Sequence, residues 1–179
     1  ATSGTTAGIE FDNSQLAALF TVNSGSISAD PTDTNNISWT FNAGTDAFDY
    51  LADGESLTLT YSITVTDDAS ATATQDVTIT IDGTNDAPTI SVKPGDTDSA
   101  SLTETEAALS TSGTLTVNDA DLSDNVSLTT SVATSGTTAG IEFDNSQLAA
   151  LFTVNSGSIS ADPTDTNNIS WTFNAGTDA

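Results

Sequence analysis

Acidic side chains gather at four places in this chain: Asp67 with Asp68, Asp82 with Asn85 and Asp86, Glu104 with Glu106, and Asp119 with Asp121, Asp124 following closely. Carboxylates and amide carbonyls are hard oxygen donors, and Ca2+ takes about six to eight such oxygens in flexible geometry. The chain has no His and no Cys, so zinc, copper and iron–sulfur chemistry lack suitable ligands. Glu104 and Glu106 are separated by one residue, as are Asp119 and Asp121, and on a strand each pair projects to one side. Like charges held that way repel unless a cation sits between them.

The competing reading of every cluster is a solvated turn acid. Asn85-Asp86-Ala87-Pro88 is likewise a plain turn before a residue of fixed φ. Ca2+ is the preferred reading for the 82–86 segment and for Asp119 with Asp121. For Glu104 with Glu106, and for Asp67 with Asp68, both readings stand. Residues 119–125, "DADLSDN", lack the Gly and closing Glu of an EF-hand loop. "DPTDTNN", at 30–36 and again at 162–168, is rich in oxygen but reads as a hydrated loop.

Composition points the same way. One Lys or Arg stands against 25 Asp and Glu, a formal charge of −24 over 179 residues. Nucleic acid and anionic membranes are poor partners for such a chain, since both call for basic patches. Bound cations or a high-salt setting would relieve the self-repulsion. The acids are dispersed among alternating apolar runs, which favours an ordered chain over a disordered one. No apolar stretch has membrane-spanning length and no signal peptide is recognisable. Catalysis is not expected, because the commonest general base and the strongest nucleophile are both missing. A carboxylate pair of glycosidase type needs a cleft, which a thin-cored sandwich does not offer.

The elements that must position these acids come from a duplication. Residues 1–47 recur without a single change at 133–179, an offset of 132 residues. Such identity marks a duplicated module. If a module opens at "TNDAPTI", residues 1–83 are the C-terminal part of one module and 84–179 the N-terminal part of the next. Neither is whole, and the lack of a starting Met suggests a piece of something longer. Neighbouring identical modules are expected to supply the missing strands, because open sheet edges are an aggregation hazard.

Within the period, alternation with a repeat of two predicts strands. "SLTLTYSITVTD" (56–67) puts Leu57, Leu59, Tyr61, Ile63 and Val65 on one face, and "QDVTITID" does the same with Val77, Ile79 and Ile81. "GTLTV" (113–117), "VSLTTSV" (126–132) and "ISWTF" (37–41 and 169–173) follow suit. Thr suits the solvated face of a strand. Only "NSQLAALF" (13–20) suggests a helix, of a turn or two with an Asn or Ser cap. The expected fold is all-β: an Ig-like, antiparallel Greek-key β-sandwich in tandem modules, with Trp39, Phe41 and Tyr61 in its core.

Two blocks, 101–128 and 48–90, resemble the VCBS-type and cadherin-like repeats of giant secreted bacterial adhesins of the RTX class. The run from "YSITVTDD" through "GTNDAP" carries the resemblance most specifically. "DGTNDAP" is similar to the cadherin inter-domain signature Asp-x-Asn-Asp-Asn-x-Pro, with Thr84 and Asn85 out of register by one position and the second Asn absent. The RTX nonapeptide, Gly-Gly-x-Gly-x-Asp, does not occur. The resemblance implies a Ca2+-stiffened extracellular spacer, exported by a type I system, that holds a ligand-binding tip away from the cell in adhesion or biofilm formation. It also implies that Glu104 and Glu106 serve the junction at the end of their own module. Asp119 and Asp121 would face the preceding linker with Asp82, Asn85 and Asp86. Two other functions remain open: a repeat that itself binds glycan or a partner cell surface, with Tyr50 and Phe48 as candidate contacts, and like-with-like adhesion between arrays.

Overall fold

Apolar residues alternating with Thr build the longest feature of the chain, an antiparallel hairpin over 56–82. The computed structural model describes every residue except Ser24, Asp46 and 177–179. The chain divides into two units, Ala1–Asn85 and Asp86–Ala179. Each is all-β, with antiparallel sheets and one short helix among its described residues.

Unit 1 contains β1 (Thr2–Gly4), α1 (Asn13–Ala18), β2 (Phe20–Val22), β3 (Trp39–Phe41), β4 (Ser56–Thr66) and β5 (Thr72–Asp82). One sheet has the order β1-β4-β5, and β2 pairs with β3. The β4–β5 register runs from Ser56 opposite Asp82 to Thr66 opposite Thr72. Leu57 and Leu59 point inward from β4 and are buried with Leu51. Tyr61 ties this sheet to the β2–β3 pair. Its ring stacks on Phe20 at 4.4 Å, and its hydroxyl donates to the Leu16 carbonyl at 2.9 Å. Gly83 follows β5 where a Cβ would stand 2.3 Å from the carbonyl oxygens of Leu51 and Ala52, so no larger residue fits.

Unit 2 contains β6 (Thr89–Ser91), β7 (Leu109–Asn118), β8 (Asn125–Val126), α2 (Asn145–Ala150), β9 (Phe152–Val154), β10 (Ile159–Ser160) and β11 (Ile169–Gly176). Its main sheet has the order β6-β7-β11-β9, and β8 pairs with β10. Val117, Ile159, Ala161 and Ile169 form the core, with Leu115, Val126 and Leu128 packed on it. Trp171 lies across Gly113, where a Cβ would stand 2.6 Å from the ring. The indole Nε1 donates to the Thr97 carbonyl at 2.8 Å.

Both helices start one residue earlier than an Asn cap implies and two earlier than a Ser cap implies. Asp12 caps α1 by accepting the amides of Ser14 and Gln15, while the Gln15 side chain accepts the Asp12 amide. Asp144 and Gln147 repeat that capping box on α2. Two other expectations fail. The 126–132 run is a strand only as far as Val126, because β10 offers just two residues to pair with. Trp39 is 45% exposed rather than in a core.

The packing of β4 gives a direct test. Leu59→Ala is expected to lower the unfolding free energy of unit 1 by about 2–5 kcal/mol, the range for truncating a buried Leu. Urea titration followed by circular dichroism reads this, and an unshifted midpoint would contradict the placement of Leu59 in the core.

Candidate metal centre

β7 ends at Asn118, and the chain turns through Asp119 and Asp121 into β8. This turn is packed down rather than solvated. The Asp119 amide donates to the Ala161 carbonyl, and the Asp124 amide donates to the Asp121 carbonyl at 3.0 Å. Asp119 Oδ1 accepts the Asp121 amide at 3.2 Å. Asp119 is consequently 4% exposed and Asp121 1%. The two acids come together through a turn, not through strand alternation.

Asp86 reaches the same place through its backbone, its amide donating to Asp121 Oδ2 at 2.7 Å. Asp121 Oδ1 is buried without a hydrogen-bond partner. Burial pushes the Asp121 carboxyl up. The charges of Asp119, Asp86 and Asp124 push the same way, against the bond from the Asp86 amide. A buried charged oxygen with no partner is costly, and a cation relieves both the desolvation and the repulsion. Asp121 and Asp119 therefore fit a hard cation of the Ca2+ kind. Among the described residues no three acidic side chains converge closely enough to form a metal cage. The remaining oxygens would have to come from backbone carbonyls and water, which Ca2+ accepts.

The other candidates are scattered. Asp82 closes β5 and is exposed, Asn85 is the exposed last residue of unit 1, and Asp86 is the first of unit 2. Glu104 and Glu106 are exposed on an irregular segment ahead of β7, so the argument that a strand aims both to one side does not hold. Asp67 serves the β4–β5 turn, its Oδ1 accepting the amides of Ala69 at 2.9 Å and Ala71 at 2.8 Å. Asp68 is exposed beside it. That is the turn-acid role. Of the two candidate ligand contacts, Tyr50 is not displayed and Phe48 is half-buried. Tyr50 is buried, its hydroxyl donating to the Thr5 carbonyl at 2.8 Å, and Phe48 packs on Phe11 at 5.9 Å.

A second polar centre in unit 2 escapes a reading based on acid clusters. Lys93 Nζ donates to Asn118 Oδ1 at 2.5 Å and to the Asp165 carbonyl at 3.2 Å. The Asn168 side chain pairs with the Val117 backbone in both directions at 2.9 Å. The loop at 162–168 is thus clamped onto β7, not left hydrated, while its identical copy at 30–36 is exposed. Asp96 accepts from Thr116 Oγ1 at 2.6 Å, Thr114 Oγ1 at 2.8 Å, Asn167 Nδ2 at 2.6 Å and the Lys93 amide at 3.0 Å. Burial raises its carboxyl, but these four bonds outweigh it and hold the group at about 2. A lone Lys beside a Pro-Gly turn in so acidic a chain was the available signal.

No helix among the described residues is long and apolar enough to cross a membrane. Comparison with known proteins finds no family model that matches the chain and no curated protein that matches it.

Asp96 sets a pH dependence. Its folded value of about 2 lies below the ordinary 3.8, so its contribution is complete above 3.8 and fades as pH falls through 2. Asp96→Asn is expected to melt below the parent at neutral pH, with the gap closing as pH approaches 2. A gap that stays constant across a pH series of thermal melts would contradict this.

Proposed function

We propose that this chain is a non-catalytic extender from a secreted, adhesin-like array, built of Ig-like or cadherin-like sandwich modules and stiffened by Ca2+. The observation that carries the reading is Asp121 Oδ1, buried and unpartnered beside buried Asp119. The antiparallel all-β units and the 47-residue duplication support the modular part of the proposal. Asp82 and Asn85 lie just upstream of Asp86 in sequence.

Ca2+ supplies positive charge where the fold concentrates negative charge. The residues do the positioning. Asp119 orders the turn by taking the Asp121 amide, and Asp121 holds the Asp86 amide, pinning the chain where it enters unit 2. With the cation bound, that attachment is electrostatically compensated, and the chain entering the unit is held more stiffly. A series of such joints keeps an extended array from collapsing, which suits a spacer at a cell surface holding an adhesive tip outward.

Calorimetry with and without EDTA tests this. For one site at free Ca2+ a hundred times Kd, stabilisation is about 2.7 kcal/mol, a rise in melting temperature on the order of 10 °C for a domain of this size. Asp121→Asn removes the buried charge and keeps its shape. It is expected to melt higher than the parent in EDTA and to respond little to Ca2+. A parent chain whose melting temperature ignores EDTA sinks the proposal.

A further inference from the structure

Side chains on β7 alternate, so Thr114, Thr116 and Asn118 share one face while Leu115 and Val117 share the other. Leu115 and Val117 belong to the core. The opposite face is polar, and each of its three members bonds to a segment arriving from elsewhere in unit 2. Thr114 and Thr116 donate to Asp96. Asn118, the last residue of the strand, uses its whole side-chain amide. Its Oδ1 accepts Lys93 Nζ at 2.5 Å, and its Nδ2 donates to the carbonyls of Asp162 at 2.6 Å and Asp165 at 3.0 Å.

Asn118 stands directly before the turn that carries Asp119 and Asp121. The Asp119 amide donates to the carbonyl of Ala161, the neighbour of the Asp162 carbonyl taken by Asn118. Two successive residues at the entrance of the turn are thus tied, in reverse order, to two successive carbonyls of the facing loop. One tether would let the intervening peptide plane swivel, and two fix it. The direction in which the Asp119 side chain leaves the backbone is fixed with it, and Asp119 Oδ1 stays on the Asp121 amide. The chain entering unit 2 meets the same corner from the other side. Asp86 bonds Asp121, Thr89 pairs with Asn118, and Lys93 reaches the Asn118 side chain.

We propose that Asn118 is the positioning residue of the cation site at Asp119 and Asp121, acting through the loop at 161–165. The inference rests on the Ca2+ reading of that turn. Asn118 is not itself a ligand, because its Oδ1 is turned to an ammonium group, a repulsive neighbour for a second cation. Its part is to hold a ligand in the direction the cation needs, as outer partners of metal ligands do.

Calorimetric titration of Ca2+ into the full chain tests this, with Asp121→Asn marking the heat that belongs to the site. Asn118→Leu is expected to weaken that site about 10- to 100-fold, the usual cost of removing an outer partner. Asn118→Ser keeps a polar group too short to span to the loop. It is expected to weaken the site likewise, and it covers the case in which the Leu variant does not fold. Thr116→Val removes a buried hydroxyl from the same face and is expected to lower stability while leaving the affinity unchanged. Tb3+ in place of Ca2+ adds a second readout, since its luminescence lifetimes in H2O and D2O count the waters on the ion. That count should rise in the Asn118 variants, because Asp119 is no longer held toward the ion, whereas lost stability alone leaves it as it was. A parent chain without a site overturns the Ca2+ reading and takes this inference with it. A parent that binds, with Asn118 variants that match it in affinity and hydration or lose no more affinity than Thr116→Val, overturns this inference alone.

Discussion

In unit 2 the strand that carries Trp171 is paired on both edges, and much of the unit follows from that pairing. Backbone amides and carbonyls lose their water when a strand is covered and must find partners in the protein. β11 finds them on β9 and β7, and its length of eight residues follows. Gly113 lets the indole lie flat on β7, and the Asn168 side chain imitates one more backbone pairing where the strand has ended. The same residues in unit 1 have one partner strand and a three-residue strand to show for it. Burial here goes with pairing: the paired Trp171 is covered and the Trp39 of the shorter strand is not.

Charge is the second constraint. With 25 acids and one basic side chain, few carboxylates can be answered by an ammonium group. The lone Lys93 is spent on neutral oxygens, fastening the 162–168 loop to β7. Asp96 is answered by hydroxyls and amides, and Asp67 by the amides of its own turn. Asp121 alone among the described residues keeps a buried side-chain oxygen with no partner. Electrostatic cost is thus concentrated at one turn rather than spread over the surface, where water screens it.

The strand at 56–66 was legible, as were residues 75–82 of β5 and 113–117 of β7, because their alternation matches a half-covered pleat; the first residues of both strands were not. The importance of Asp119 and Asp121 was legible from their spacing, but the geometry behind it was not. Spacing of two suggests a strand, whereas a turn packed on Ala161 buries them. Burial of a turn depends on what the rest of the chain lays over it, and no local pattern encodes that. Trp39 makes the same point in its sharpest form. Its neighbours in sequence are those of Trp171, so nothing within reach of a sequence window could separate an exposed indole from a covered one.

Lys93 has one more consequence. Trypsin-like proteases cut after Lys or Arg, and a following Pro blocks the cut. Lys93 is the chain's sole residue of that kind, and Pro94 follows it. Its ammonium group is also engaged by Asn118 and Asp165. The backbone therefore offers this protease class no cleavable bond, whether the chain is folded or unfolded.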